Sequence, residues 1–165
     1  MRKKYLITGL LFIFIVSLGF SYFTVNEYLR RCRMKINKIN LDRAYKLFKE
    51  GRYIFLDVRE ADELKKRGTI PGAKHIPRGL LEFRIGWITG NNLNTPIIVF
   101  SNGEKRSTLA AFTLSEILGY RKVYRLDHGY EGWKRKGYPT TLSPSNKAKT
   151  TPSKIIIKKK IFKKR

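Results

Sequence analysis

Cysteine is nearly absent from these 165 residues: Cys32 is the only one. No disulfide can close within the chain, and a thiol-rich metal site is excluded. Histidine is almost as scarce, with His75 and His128 alone, too few for a convincing metal cluster. A dinucleotide-type glycine fingerprint and a phosphate-binding P-loop are both missing. No cofactor is therefore expected, metal or organic. Acids are few as well, 12 against 36 Lys and Arg, for a net charge of +24. Two thirds of the excess sits at the ends. Residues 1–40 carry +7, residues 41–140 carry +8, and residues 141–165 carry +9 without a single acid. A mildly basic middle between strongly basic ends points to termini that touch an anionic surface. Solvated tails of a Lys- and Ile-rich composition are the plain alternative.

Charge of either sign is missing from Tyr5 through Val25, YLITGLLFIFIVSLGFSYFTV, a run of 21 residues. As a helix it is long enough to cross a hydrocarbon core of about 30 Å. Met1-Arg2-Lys3-Lys4 precedes it as a basic tail. A cleaved secretory signal is the alternative, but the run exceeds a typical signal core and no small-residue cleavage site closes it. The expectation is an uncleaved, single-pass anchor. Orientation has two readings. The basic flank of Arg30, Arg31, Arg33, Lys35 and Lys38 argues for a cytoplasmic domain by charge count. The short, triply basic N-tail resembles a secretory n-region and argues for a domain outside the cytoplasm, which is the expectation adopted. Residues 26–37 are read as a basic juxtamembrane linker. Cys32 is read as incidental, with lipidation or intermolecular pairing as alternatives.

What remains is one domain, residues 38–140. Asn40 is a plausible N-cap for a helix over Leu41–Glu50, which Gly51 ends. Tyr53–Leu56 reads as a buried strand and Ala61–Arg67 as a short charged helix. Gly68–Pro77 is a turn-dense connector. Arg78–Ile88 looks partly helical. Pro96–Leu118, PIIVFSNGEKRSTLAAFTLSEIL, is the stretch that organises the rest: a buried strand at Ile97–Phe100, a polar loop at Ser101–Arg106, then a helix closed by Gly119. Lys122–Leu126 is another strand, and a last short helix ends at Gly137-Tyr138-Pro139. Strands alternating with helices at this spacing argue an α/β fold, an open parallel sheet covered by helices on both faces. Residues 141–165 open with Ser, Pro, Asn and Thr, as a flexible linker does, and end IIIKKKIFKKR. That basic tail suits a lipid bilayer. A nucleic-acid arm is the weaker reading, because no aromatic stacking module accompanies the charge.

A strand, a six-residue loop and an Arg-Ser opening a helix resemble the active-site loop of the rhodanese (sulfurtransferase) family. Three further stretches carry the same resemblance in the same order. Tyr53–Glu60, YIFLDVRE, is similar to the family's strand ending in Asp-Val-Arg. Gly68–Pro77, GTIPGAKHIP, is similar to its Gly-His-Ile-Pro-Gly-Ala signature, with Thr69 where His is usual. Leu126–Pro139 is similar to its closing Gly-Gly…Trp…Gly-Tyr-Pro pattern, with His128 at the first Gly. The resemblance implies a three-layer domain on a roughly five-stranded parallel sheet. It implies sulfur transfer through a persulfide on the first loop residue, a cysteine in the family. Here that residue is Ser101.

That departure sets the functional expectation. The family's chemistry needs a thiolate whose pKa is lowered by loop N–H groups and a helix N-terminus. A serine hydroxyl forms no persulfide and ionises far above a thiol. No histidine lies near it in sequence to act as base. The cradle is expected to survive as an anion-binding loop of Ser101, Asn102, Gly103, Glu104, Lys105, Arg106 and Ser107: the N–H groups of Asn102 to Ser107 converge on a small anion such as sulfate, thiosulfate or phosphate, Lys105 and Arg106 add charge, and Arg106 bonds loop carbonyls or pairs with an acid. Ser107 or Thr108 is expected to cap the helix. Asp57 and Arg59 are expected to form a supporting ion pair beneath the loop. His75, Trp133 and Tyr138 are read as packing residues. The reading favoured is a membrane-anchored binding or protein-interaction module without catalysis. A loop that merely closes a turn is the bland rival. Residual sulfur transfer through an outside thiol, or serine-based hydrolysis, is the enzymatic one. The related cell-cycle phosphatases use a longer loop, also with cysteine, which argues against that activity.

Overall fold

A computed structural model describes residues 24–141. The elements run α1 (Val25–Lys35), β1 (Asn37–Ile39), α2 (Leu41–Glu50), β2 (Ile54–Asp57), α3 (Ala61–Arg67) and β3 (Lys74–His75). A 3-10 turn (Arg78–Leu80) then leads into α4 (Leu81–Thr89), β4 (Ile97–Phe100) and α5 (Lys105–Phe112). A π-turn (Thr113–Ile117), β5 (Val123–Leu126) and α6 (Gly129–Arg135) complete the fold. The five strands form one sheet in the order β1-β5-β4-β2-β3, with every pairing parallel. β4 lies in the middle, and all four of its residues are buried.

Alternation along the strands divides the core in two. Leu56, Ile97, Val99 and Val123 pack with Leu81 and Ile85 of α4 and with Ala110, Ala111 and Leu114. Phe55, Ile98, Phe100 and Leu126 pack on the other face with Ala44 of α2 and with Tyr130 and Trp133 of α6. Trp133 is fully buried and donates its indole N–H to the Pro139 carbonyl at 2.8 Å. Tyr138 stacks on Tyr45 with ring centroids 4.2 Å apart. Local signals match the ends of α2. The Asn40 side chain accepts from the Arg43 N–H at 2.9 Å, and Gly51 closes the helix in the left-handed region, φ 67°.

Three features differ from the sequence expectations. Residues 26–37, expected to be a linker, are largely the helix α1, capped by Thr24 through the Glu27 N–H. Its Leu29 and Cys32 are buried, so Cys32 is a packing residue of the domain and is closed to lipidation or pairing. Its charged residues face outward, which is why its composition reads as a linker. Helix α5 does not run unbroken to Gly119. It passes into a π-turn in which Leu118 N–H bonds the Thr113 carbonyl, and the extra residue turns Ile117 out to 66% exposure. Two strands stand where none was expected, β1 just before the Asn40 cap and β3 within the Gly68–Pro77 connector. Among the described residues no helix is long and apolar enough to cross a membrane. The anchor expected at residues 5–25, apart from Thr24 and Val25, lies outside the described residues, as do the N-tail 1–4 and the basic tail beyond Thr141.

Candidate functional site

In an open parallel sheet, ligands bind beyond the carboxyl ends of the strands. Three loops meet there: 58–60 after β2, 101–104 after β4 and 127–128 after β5. The middle one is shaped by α6. The Tyr130 N–H donates to the Ser101 carbonyl at 2.8 Å and the Glu131 N–H to the Asn102 carbonyl at 3.4 Å. Gly129, with φ 54°, sits so close that a Cβ there would lie 2.3 Å from the Ser101 oxygen, 2.7 Å from that of Asn102 and 2.8 Å from that of Gly103. The carbonyls of residues 101–103 thus converge on the start of α6. The backbone N–H groups of Asn102, Gly103, Glu104, Lys105 and Arg106 find no acceptor among the described residues. Those of Gly103–Arg106 border a shallow pocket of about 430 Å³ lined by Ser101, Gly103, Glu104, Lys105 and Arg106.

Ser101 is 1% exposed. Its hydroxyl donates to the Gly103 carbonyl at 2.8 Å and accepts from the Ser107 N–H at 3.2 Å. No base touches it. His75 donates instead to the Arg59 carbonyl at 2.8 Å, and His128 is exposed at the head of α6. Neither Ser107 nor Thr108 caps α5. Both lie inside its first turn, where Ser107 Oγ donates to the Glu104 carbonyl at 3.1 Å and Glu104 holds the N-cap position.

The charges around the loop are already paired. Arg106 forms a two-pronged bond to Glu63, with Nη1 to Oε2 at 2.5 Å and Nη2 to Oε1 at 2.8 Å. Glu63 also accepts from the Asn102 side-chain amide at 2.7 Å and from the Glu60 N–H at 3.0 Å. The Arg106 guanidinium beside it, opposed by partial burial and helped by the Glu60 N–H, holds the Glu63 carboxyl at about 2. Burial pushes the Glu104 carboxyl up, but the Arg125 guanidinium 3.1 Å away more than offsets this, and the carboxyl sits below its ordinary range. Lys105 is left as the exposed cation of the loop.

Beneath the loop, Asp57 and Arg59 are both fully buried. The guanidinium bonds Asp57 through Nε and Nη2, the Gly68 carbonyl at 2.7 Å and the Asn102 side chain at 3.1 Å. It also lies 4.1 Å from the centre of the Tyr130 ring. Thr69 Oγ1 donates to Asp57 at 2.7 Å. The expected supporting pair therefore reaches the loop through Asn102. Glu63, Thr69, Gly129 and Tyr130 were not singled out as site residues by the sequence, because their roles come from contacts across the fold. The Glu60–Glu63 capping box is the one local signal that marks Glu63.

The family model for the rhodanese-like domain matches residues 40–136. The chain belongs to the rhodanese-like domain family. Curated relatives agree. The chain is 29% identical over 106 residues to "Thiosulfate sulfurtransferase GlpE" of Pseudomonas putida (strain GB-1), covering 64% of this chain and 90% of that protein. It is 37% identical over 81 residues to "Putative sulfur carrier protein YrkF" of Bacillus subtilis (strain 168). That match covers 49% of this chain and 41% of the relative, so this chain spans less than half the length of that protein. Among solved structures, the polysulfide-sulfur transferase homodimer of Wolinella succinogenes is similar, with 30% identity and a TM-score of 0.60 over 69% of this chain and 84% of that one.

Proposed function

We propose that this rhodanese-like domain is a membrane-anchored module, without sulfurtransferase activity of its own, that holds a small oxyanion at the 101–106 loop. Residues 5–25 serve as a single-pass anchor, and the domain stands outside the cytoplasm. The observation that carries the reading is Ser101. It occupies the head of the loop, where the family resemblance puts the nucleophilic cysteine, and its hydroxyl proton is donated to the Gly103 carbonyl. Oxygen there cannot take a sulfane sulfur. The unpartnered N–H groups of residues 102–106 still provide the donors an oxyanion needs. Lys105, exposed and without an ion pair among the described residues, provides positive charge.

The reading predicts that the full chain releases no thiocyanate from thiosulfate and cyanide. Ser101→Cys is expected to create that activity, because the rest of the cradle is in place. Titration with thiosulfate or sulfate is expected to shift the amide resonances of Gly103–Arg106. Turnover by the wild type that Ser101→Ala abolishes would refute the proposal, and so would amides at 102–106 that ignore both anions.

A second reading rests on the relatives named for sulfur transfer: the domain takes part in sulfur transfer with a thiol supplied by a partner. Activity that appears only on adding a thiol protein, and survives Ser101→Ala, would favour it.

A further inference from the structure

Helix α4 is apolar on both sides. Leu81 and Ile85 are buried against the sheet, while Phe83 and Trp87 on the opposite side are 78% and 81% exposed. A surface helix ordinarily turns charged and polar residues to solvent. Here the outward face carries Leu80, Phe83, Arg84 and Trp87 at the spacing of one helical stripe, with Arg84 over the Trp87 ring at 5.9 Å. Leu93 and Ile117 are exposed too.

Trp87 and Phe83 border a hollow of about 310 Å³ with Leu93, Leu118 and Tyr120, which lie in the segments leading into β4 and β5. That is the end of the sheet opposite Ser101. Helix α1 packs against α5 and runs antiparallel to it. Tyr28 meets the Phe112 ring at 6.3 Å, at the tail of α5, whereas Arg33 acts on Glu104 at its head. The first residues of α1 therefore point to the end where Trp87 lies. Val25, 72% exposed, opens α1 there, and it is the last residue of the uncharged run that begins at Tyr5. Arg84, Arg121 and Lys122 are exposed on the same end. The carboxylates there are Glu27, held by Arg30 and Arg31, Glu50, held by Arg52, Glu82, held by Arg78, and Glu116. Aromatic side chains with Arg and Lys around them suit the headgroup boundary of a bilayer.

We infer that the Phe83–Trp87 face of α4 rests on the lipid bilayer that holds residues 5–25, and that the 101–106 loop is thereby presented away from it. The inference rests on the membrane-anchored reading above. Helix α5 alone separates the two ends by about 12 Å. The loop then meets soluble anions or partners rather than lipid headgroups.

The test uses the full chain reconstituted in phosphatidylcholine–phosphatidylglycerol vesicles with brominated acyl chains. The chain has two tryptophans, and Trp133 is fully buried. The emission difference between wild type and Trp87→Phe therefore isolates Trp87, and the remaining Trp133 signal reports that the variant is folded. The Trp87 component is expected to be blue-shifted and strongly quenched by the brominated chains. A chain that stays with the vesicles through an alkaline wash but leaves Trp87 unquenched would overturn the inference while sparing the anchor. So would Trp87 shielded from iodide yet unquenched by lipid, which would mean a protein covers it. A chain washed off the vesicles would remove the anchor and the inference together.

Discussion

The Arg59 guanidinium lies 2.6 Å from the Asp57 carboxylate, and neither side chain reaches solvent. Asp57 ends β2, Gly68 ends α3 and Asn102 is the second residue of the loop after β4; Arg59 bonds to all three. The pair is thus a clamp between the sheet and the loop. Removing one partner leaves a buried charge alone, which costs about 3–5 kcal/mol. Arg59→Ala is expected to lower stability by that amount in urea unfolding of the full chain. Arg59→Lys is expected to recover only part of it, because an ammonium cannot reproduce the two-pronged bond to Asp57 while also reaching Gly68 and Asn102.

The second tether, Glu63 to Arg106, has a distinct pH signature. The Glu63 carboxyl is held at about 2 against its ordinary 4.5, chiefly by Arg106. A carboxyl depressed by folding stabilises the fold when ionised. Its contribution is full above about pH 4.5 and is lost as pH falls towards about 2. The stability gap between wild type and Glu63→Gln is expected to be constant above pH 5, roughly, and to close across that acid window. Unfolding midpoints measured at a series of pH values check it. A gap that closes near neutrality would mean that another group holds Arg106.

The middle of the fold was legible because its signals are local. Ile97–Phe100 followed by a polar loop and a helix, the Asn40 and Gly51 ends of α2, and the charged helix Ala61–Arg67 all rest on capping, periodicity or apolar runs. The elements that were missed lack such marks. β1 buries only Ile39 of its three residues and is a strand because β5 offers it an edge. β3 is two residues long. Helix α1 buries only Leu29 and Cys32, and its cap residue Thr24 falls inside the uncharged run. At the site, the loop and the Asp57–Arg59 pair were readable from adjacent residues. Glu63 was not, since its partner Arg106 lies 43 residues away. Of the roles expected for Arg106, pairing with an acid is the one the structure shows, with Glu63 as the acid.

Gly129 holds the loop from the other side. Its φ of 54° belongs to the left-handed region, and three loop carbonyls occupy the space a side chain would need. Backbone atoms cannot move aside as the tip of a flexible side chain can. Gly129→Ala is expected to destabilise by about 2 kcal/mol or more, combining overpacking with left-handed strain. It is also expected to shift the amide resonances of residues 101–104, because their carbonyls must turn from α6. An unfolding curve and an amide correlation spectrum test both consequences. An unperturbed loop in the variant would show that α6 does not shape the cradle.

The residue just before it carries strain without such a constraint. His128 has φ 57°, a region where a side chain other than glycine is disfavoured by about 1 kcal/mol. Its side chain is exposed, whereas its backbone N–H faces the Glu104 carboxylate. His128→Gly keeps that N–H and relieves the strain, at the cost of extra freedom in the unfolded chain. The net expectation is a gain of up to about 1 kcal/mol. His128→Ala retains the strain and is expected to give no gain. If both variants lose stability equally, the imidazole itself contributes packing that its exposure does not suggest. If glycine alone gains, the strain is local to the backbone and the imidazole is dispensable for folding.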